Sequence, residues 1–532
     1  MQCPEPQAVV LSEPLSALSD TVVDISDNAT PCRFRFIDCS EPVHGHTLRV
    51  LEYHDLSAQS YATISYVWRG VIGPAAATMA KYGTFAVAGA TDGDPISIDV
   101  LLHVCRACLL DKIPLIWLDR LGTIQTSRED KAWQIKRMYN VYASYTKCYV
   151  LPGGTRRLAS IEEPTLWIHR GWTLQEAVAP KECSVVIQWE YNVGTFRNPR
   201  KSLGTNGSVE KIVYGESAQV KLSSLLKASV AENVEFRVRS PETWKGQKVD
   251  ITIRIFGTDD EAGWRHAFAL SAAMKPVDDT ADPLGVGKKT AFWRSANMRT
   301  SSRPVDMVFS IMGLFGVTLN PKEFETHDRL GATIALAREI LKQGGSPTWL
   351  ATSLSLPENL SIRSFPRFPE TDKAGAAVYE VDSRRLEAAE LMRDVDGWLA
   401  TDEIPGAQMD THGFLTLMLK CAPVTWTGFC QPRRLVQSPK QSYDNQLLQF
   451  HDLHLPPFIV DNHGKMWRLS ETVESSKFYV ALLGRMHTQS TFRFFDPRIL
   501  AKAILLEEYQ EGNFRRAEGG LLVHIQYYDL SV

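Results

Sequence analysis

The sequence predicts an α/β fold for residues 46–190, with a mostly parallel sheet and flanking helices. Tyr61–Trp68 is rich in β-branched and aromatic residues and has the composition of a strand. Pro114–Leu118 is a short apolar run, typical of a strand buried in a parallel sheet. Apolar residues at helical spacing occupy 98–110. Strand–helix–strand alternation of this kind predicts a doubly wound α/β unit.

The segment after these strands continues the alternation. Residues 128–146 have apolar and aromatic side chains on one helical face. Ser127 followed by Asp130 is typical of a helix N-cap with an acidic third residue, which predicts that the helix begins there. Lys147–Leu151 and Ser184–Trp189 are predicted as further strands.

The 532-residue chain has room for two to four structural units at roughly 100–200 residues per domain. Residues 1–45 are polar and interrupted by prolines, so we expect a lead-in with little regular structure apart from a strand at Cys32–Ile37. Residues 191–260 are predicted to be a polar insertion that carries a β-hairpin, because apolar and charged residues alternate in two runs. Residues 261–350 have helical patterns, and residues 351–532 have short strand-like runs that predict a β-rich domain.

Composition argues against several functional classes. Hydrophobic residues make up 44% and charged residues 22%, as in ordinary soluble domains, and the formal net charge is -3. A global field that attracts nucleic acid or an anionic membrane is therefore not expected. The N-terminus lacks the pattern of a secretory signal, and no run approaches about 18 apolar residues. With nine cysteines, an odd and sparse set, we expect a cytoplasmic protein with reduced thiols.

Three short motifs resemble sites but are better explained otherwise. Cys105-x-x-Cys108 lies in an apolar helical stretch and is predicted to pack in the core rather than to bind metal. His451-x-x-His454 has no suitable ligands nearby and is interpreted as a loop pair. Gly285–Thr290 resembles a phosphate-binding loop, but Asp282 stands where the first glycine is required. We therefore predict neither a metal site nor a nucleoside triphosphate site.

Four segments stand out as candidates for a functional site, and two of them carry the argument from physical chemistry. Asp119, Arg120 and Gln125 follow a predicted buried strand, at the sheet edge where open α/β folds bind ligands. Trp172 and Glu176 are four residues apart in a predicted helix and share a face, where an aromatic ring can desolvate a carboxylate and raise its pKa. The four segments are Thr63–Trp68, Trp117–Gln125, Glu129–Met138 and His169–Glu176.

Each of these residues also has a plainer interpretation. Trp172 and Glu176 fit a buried tryptophan beside a glutamate paired with an arginine. Asp119 and Arg120 fit a pair that stabilises the strand end, and Gln125 fits a side chain bonded to a loop backbone. The sequence alone leaves these interpretations open.

The order, spacing and amino-acid identities of the four segments resemble those of the fungal heterokaryon-incompatibility (HET) domain over about residues 46–185. Residues 299–316 resemble a segment that follows the domain. The motif residues are similar to those of the HET domains in mushroom-forming fungi. Gly122 and Ile124 stand where many members have Cys and Asn, and Arg69 separates Trp68 from Gly70. Roles assigned to that Cys or Asn are therefore absent here.

HET domains are thought to be related to TIR domains, which implies a TIR/flavodoxin-like N-terminal sheet. Ile64–Tyr66 resembles the first TIR strand, and Leu118–Arg120 resembles the end of the second. Trp172-x-x-x-Glu176 is similar to the motif of TIR enzymes that hydrolyse NAD. The resemblance implies Glu176 as the catalytic acid. The implied pocket residues are Ser65, Tyr66, Trp68, Asp119, Arg120, Gln125, Arg170 and Trp172, with Arg120 and Arg170 as phosphate contacts.

The resemblance implies non-self recognition and programmed cell death, a form of innate immunity, with NAD as a substrate and no cofactor or metal. It also implies self-association or recruitment of protein partners through the HET domain, without nucleic acid or a membrane span. The enzymatic activity stays open. The alternatives are a non-catalytic signalling and oligomerisation module and an inactive member of the family.

Overall fold

The computed structural model describes most of the chain between residues 6 and 524. The described residues are 6, 8–56, 60–70, 81–144, 147–191, 193–197, 207–229, 234–238, 248–257, 261–275, 285–352, 368–371, 375–381, 383–392, 397–400, 406–429, 458–460, 465–470, 477–488 and 500–524. They form two compact units. The first comprises Met1–Ala267, Arg299–Arg329 and Lys373–Ala376, and the second comprises Phe268–Met298, Leu330–Asp372 and Ala377–Val532.

The described strands of the first unit lie between residues 8 and 251. They are β1 (Ala8–Pro14), β2 (Thr21–Val23), β3 (Phe34–Asp38), β4 (Thr47–Tyr53), β5 (Tyr61–Tyr66), β6 (Thr84–Val87), β7 (Ile96–Ser97), β8 (Leu115–Trp117), β9 (Lys147–Leu151), β10 (Glu182–Gln188), β11 (Gly194–Arg197), β12 (Gly207–Val213), β13 (Ser217–Lys221), β14 (Val234–Val238) and β15 (Lys248–Ile251). The α-helices among the described residues are α1 (Ile98–Leu110), α2 (Asp119–Gly122), α3 (Arg128–Ala143), α4 (Trp172–Val178), α5 (Leu222–Ser229), α6 (Glu261–Met274), α7 (Val286–Ala296), α8 (Asp306–Met312), α9 (Arg329–Lys342) and α10 (Ala388–Leu391).

Among the described residues, twelve of these strands form one mixed sheet. Their order is β1-β4-β3-β8-β5-β9-β10-β13-β12-β11-β14-β15. The four central strands, β8, β5, β9 and β10, run parallel to one another, and the flanking pairs are antiparallel. Because β5 comes first in the chain, the parallel strands have the order 2-1-3-4. This mixed α/β architecture confirms the predicted fold class at that level.

Most predicted elements of this unit are present. Helix α1 covers the predicted range and begins at Ser97, whose hydroxyl accepts a hydrogen bond from the backbone of Val100. Helix α3 begins after Ser127 as predicted, because the Ser127 hydroxyl accepts from the Asp130 backbone N–H at 3.2 Å. The strand predicted to end at Trp68 stops at Tyr66.

The core between the sheet and α1 is apolar. Cys105 and Cys108 are fully buried in α1, close to Cys39, and burial raises the pKa of the Cys108 thiol. This placement supports the packing interpretation of the Cys-x-x-Cys motif. Within the described residues, no group of three or more His, Cys, Asp or Glu is placed to hold a metal ion.

A buried ionic cluster joins the antiparallel strands β3 and β4 to α3. Arg35 is fully buried and donates to Glu52 and to Asp130, each at 3.1 Å. The Asp130 carboxylate also accepts from the backbone of Cys32 and Ile124. Removing one partner of such a cluster leaves a buried charge without compensation, which typically costs about 3–5 kcal/mol.

Two expectations about secondary structure were wrong. Residues 1–45 do more than lead into the fold, because β1 pairs with β4 and forms the edge of the large sheet. Its alternation is short and broken by prolines, so the sequence pattern missed it. The described part of 191–260 is not a separate insertion either, because β11–β15 continue the same sheet from β10. The predicted hairpin is present as the antiparallel pair β14–β15.

The second unit has helices and then strands, as predicted for its two parts. Helix α9 stops where Gly344 takes a positive φ of 80°, and the Gly344 and Gly345 N–H groups bond the Leu341 and Ile340 carbonyls. The strands are β16 (Glu370–Thr371), β17 (Ala377–Val381), β18 (Arg384–Glu387), β19 (Gly397–Ala400), β20 (Ala407–Met409), β21 (Leu415–Leu417), β22 (Cys421–Phe429), β23 (Phe458–Val460), β24 (Lys465–Leu469), β25 (Phe478–Thr488), β26 (Leu500–Gln510) and β27 (Asn513–His524). This confirms a β-rich C-terminal region.

A small apolar core in the second unit includes Val424, Trp467 and Leu505. The pair His451 and His454 lies outside the described residues. No described helix is both long enough and apolar enough to cross a membrane.

Candidate functional site at the carboxyl edge of the parallel strands

The candidate site lies where β5 ends, between the first and third strands of the parallel set. Ser65, the penultimate residue of β5, is fully buried and donates a hydrogen bond from Oγ to Glu176 Oε2 at 2.5 Å. Glu176 lies on α4 and has only 8% of its surface exposed. The Trp167 indole Nε1 donates to the same Ser65 Oγ at 2.9 Å. Two of the predicted residues, Ser65 and Glu176, are therefore in direct contact.

The electrostatic environment of Glu176 favours its neutral form. Burial raises its pKa from 4.5 to about 8, and the negative charge of Asp119 adds to the rise. The hydrogen bond from Ser65, the nearby Tyr142 hydroxyl and the charge of Arg299 act in the opposite direction, since they stabilise the carboxylate. Buried carboxyl groups with strongly shifted pKa values cluster at functional sites.

Asp119 is the centre of a second cluster next to Glu176. Its carboxylate accepts hydrogen bonds from the Tyr66 hydroxyl and, at 2.9 Å, from Trp68 Nε1. Gln125 donates from Nε2 to the Asp119 backbone carbonyl at 3.1 Å. Burial raises the pKa of Asp119, while the bonds from Tyr66 and Trp68 and the charge of Arg120 lower it. The cluster brings together Tyr66, Trp68, Asp119 and Gln125 where β5 and β8 end.

Arg120 is part of this cluster but is enclosed by it. It is 1% exposed, and its guanidinium donates to the Tyr66 hydroxyl, the Asp94 carbonyl and the Thr155 hydroxyl. Its Cζ lies 5.1 Å from the centre of the Tyr66 ring. With Nε, Nη1 and Nη2 all bonded inside the protein, Arg120 in this conformation supports the strand ends rather than facing a ligand.

Trp172 and Arg170 lie at the beginning of α4, and their contacts differ from those of Glu176. Trp172 Nε1 donates to Asp306 Oδ2 of α8 at 3.4 Å. Burial raises the pKa of Asp306 to about 6, and Arg303 and Arg170 lower it. Burial in turn lowers the pKa of the half-buried Arg170. The motif residues Trp172 and Glu176 thus connect α4 to two different parts of the unit.

Several residues of the site were not predicted as site residues. Trp167 and Tyr142 are buried next to Ser65 and Glu176, and the Tyr142 hydroxyl also donates to the Ile64 carbonyl at 2.9 Å. Tyr142 was expected only as part of the apolar face of its helix. Arg299 contributes from the downstream segment. The similarity of residues 299–316 to a segment that follows HET domains was the available signal for Arg299.

The departure at Gly122 has a steric explanation. A Cβ on Gly122 would lie 2.5 Å from the Trp117 Nε1 atom, closer than real contacts allow. The Gly122 carbonyl accepts from Arg35 at 3.1 Å and from Gln134 at 3.2 Å. Trp117 and this backbone position therefore require glycine where a cysteine is common in the resembled family.

The segments that form this edge also have a family match. Residues 61–165 match the model of the heterokaryon incompatibility protein (HET) family. The HET-matching region runs from the start of β5 to Thr165, and so includes Ser65, Asp119 and Arg120. Glu176 and Arg299 lie beyond it. The match points to a function of the heterokaryon-incompatibility type.

No curated protein and no solved structure matched the chain.

Proposed function

We propose that the first unit is a TIR-like domain that hydrolyses NAD and acts in non-self recognition and cell death. The observation that carries this proposal is the buried Ser65–Glu176 contact at the carboxyl edge of the parallel strands. The strand order 2-1-3-4 supports it, because flavodoxin-like sheets begin with this order and bind ligands where the order reverses. That reversal lies between β5 and β9, where Ser65 is placed.

In the proposed reaction, a water oxygen bonds to the ribose carbon that carries nicotinamide, and the bond from that carbon to the ring nitrogen breaks. The bonding electron pair moves to the nicotinamide ring, which leaves neutral, and the water proton passes to solvent. Positive charge accumulates on the ribose in the transition state. An ionised Glu176 would stabilise that charge, as carboxylates do in glycoside hydrolysis. Ser65 holds the carboxylate in place.

The direct test is nicotinamide release from NAD by the purified full chain, compared with Glu176→Gln and Ser65→Ala. Loss of a preorganised electrostatic group typically lowers kcat by about 10²–10³, and we expect Glu176→Gln to fall in that range. Glu182→Gln is the matched control, because Glu182 on β10 is half-exposed and forms ion pairs with Lys147 and Lys221. Equal release by wild type and Glu176→Gln would end the enzymatic proposal.

The pH dependence follows from the environment of Glu176. Since burial raises its pKa to about 8, the catalytic carboxylate forms only as the pH rises through that region. We therefore expect the rate of NAD cleavage to increase from pH 6 to pH 9, and the acid limb to disappear in Glu176→Gln. A rate that does not change over that range would contradict the role of the ionised carboxylate.

A second candidate function is a non-catalytic signalling module that self-associates or recruits protein partners. The closed state of the site favours it, since Ser65 is fully buried and Glu176 nearly so. Expression of the full chain and of Glu176→Gln in a fungal host separates the two candidates. Growth arrest by both chains would favour the signalling module, arrest by the wild type alone would favour the enzyme, and normal growth with both at good expression would indicate an inactive protein.

The expected location is cytoplasmic, with NAD as the substrate and no resident cofactor. The proposed domain boundary of 46–190 needs an addition for such experiments. Residues of Arg299–Arg329 belong to the same unit and contact α4, so a fragment limited to residues 46–190 lacks them. The full chain is therefore the appropriate material.

A further inference from the structure

A continuous series of hydrogen bonds connects the downstream segment to Glu176. Arg299 Nη1 donates to the Thr173 hydroxyl at 2.6 Å and to the Arg170 carbonyl at 2.9 Å. The Thr173 hydroxyl lies 2.8 Å from the Trp167 carbonyl. The Trp167 indole in turn donates to Ser65, and Ser65 donates to Glu176. Every step joins buried side chains or the backbone between them.

The backbone around Arg299 is also fixed against the beginning of α4. The Gly171 N–H donates to the Thr300 carbonyl at 2.7 Å, and the Thr300 N–H donates to the His169 carbonyl at 2.7 Å. A Cβ at Gly171 would lie 3.0 Å from the Met307 sulfur, so α8 approaches closely at this point. These contacts hold the guanidinium of Arg299 at one position relative to Trp167 and α4.

We propose that Arg299 is a positioning residue of the Glu176 site. Through Thr173 and the Arg170 carbonyl it holds the turn that carries Trp167, and its positive charge favours the ionised carboxylate. This inference rests on the proposed function, because positioning matters for a reaction only if Glu176 takes part in one. Arg299 lies outside both the HET-matching region and the predicted boundary of 46–190.

Charge and geometry support this role separately. Arg299 is fully buried, so its charge is weakly screened and acts on nearby groups. Burial lowers the pKa of Arg299 to about 9, and the negative charge of the nearby Glu176 acts in the opposite direction. In return, the positive charge of Arg299 lowers the pKa of Glu176. The two donor bonds from Nη1 depend on the guanidinium shape, which a lysine does not reproduce. A lysine loses this geometry, and because its ordinary pKa is lower than that of arginine, the same burial removes its charge more readily.

The test uses the full chain with Arg299→Met and Arg299→Lys. The Glu176 carboxyl is titrated by carbon NMR in protein labelled at glutamate, with Glu176→Gln to assign the signal. We expect Arg299→Met to raise the midpoint of the titration by about one pH unit, a tenfold change in the acid dissociation constant. Arg299→Lys should shift the midpoint in the same direction, because a buried ammonium loses its proton more readily than a guanidinium, and NAD cleavage by this variant should fall.

Arg294→Met is the matched control, because Arg294 is equally buried but lies in the second unit. If Arg299→Met does not fold, the comparison of Arg299→Lys with wild type still tests the proposal through the shift in midpoint and the lower kcat. A Glu176 titration that is the same in wild type and Arg299→Met would overturn the electrostatic role. If the wild type does not cleave NAD, the proposed function fails while the titration still decides what Arg299 does to Glu176.

Discussion

Glu176→Gln has an expected effect on stability that can be measured without any assay of function. The pKa of Glu176 rises from 4.5 in an unfolded chain to about 8 in the folded protein. Between these values the unfolded state releases a proton that the folded state keeps, so stability falls as the pH rises. The loss is about 1.4 kcal/mol per pH unit, or about 5 kcal/mol over the whole range. Glutamine is neutral at every pH and removes this dependence.

The measurement is the difference in Tm between Glu176→Gln and wild type at several pH values from 4 to 9. Because the chain has two units, the comparison uses the transition that the variant shifts rather than a single free energy of unfolding. We expect the difference to be flat below pH 4.5, to grow in favour of the variant up to about pH 8, and then to level off. Glu182→Gln, which removes a half-exposed glutamate, is the control variant. A difference that is independent of pH would refute the raised pKa, and with it the picture of a protonated carboxyl in the resting protein.

Two further predictions concern the framework around the site. Arg35→Met leaves Glu52 and Asp130 buried without their cation. It should lower the free energy of unfolding of the first unit by about 3–5 kcal/mol, measured by urea titration. A loss below about 1 kcal/mol would mean that water or rearrangement compensates the two charges. Gly122→Cys forces the Trp117 ring to move and should cost about 1–3 kcal/mol. The double variant with Trp117→Phe should recover part of that loss. If it recovers none, the backbone around residue 122, rather than the Trp117 ring, excludes a larger side chain there.

The sequence was sufficient where local pattern and parallel topology decide the structure. The N-cap at Ser127 was predictable because it depends on residues three apart. Asp119 was expected at the carboxyl edge because it follows a buried strand, whereas Ser65 was named as a pocket residue only from the family resemblance. The two residues lie at the same edge because β5 and β8 are parallel neighbours. The proximity of Glu176 to Ser65 rested on family resemblance, since no local pattern specifies how α4 packs against β5.

The remaining contacts depend on long-range packing that no periodicity encodes. Asp130 was expected as an acid in the first turn of α3, but its carboxylate is also the partner of Arg35, which is 95 residues away. The resemblance implied Arg120 as a phosphate contact, whereas its guanidinium nitrogens bond to Tyr66 of β5, the Asp94 carbonyl and the Thr155 hydroxyl. A charged residue at a strand end has the same local sequence whether it faces a ligand or the protein. Only the positions of its neighbours distinguish the two.

The Trp172-x-x-x-Glu176 motif has a different meaning in the fold from the one its spacing suggested. Spacing predicts two side chains on one face of a helix, with the ring beside the carboxylate. In the structure Glu176 contacts Ser65 at the strand end, while Trp172 bonds Asp306 on α8. The short helix α4 therefore connects the downstream segment to the parallel sheet. Arg299 and Asp306 both contact the beginning of this helix. A displacement of the downstream segment would therefore move α4 and, with it, the Glu176 carboxyl.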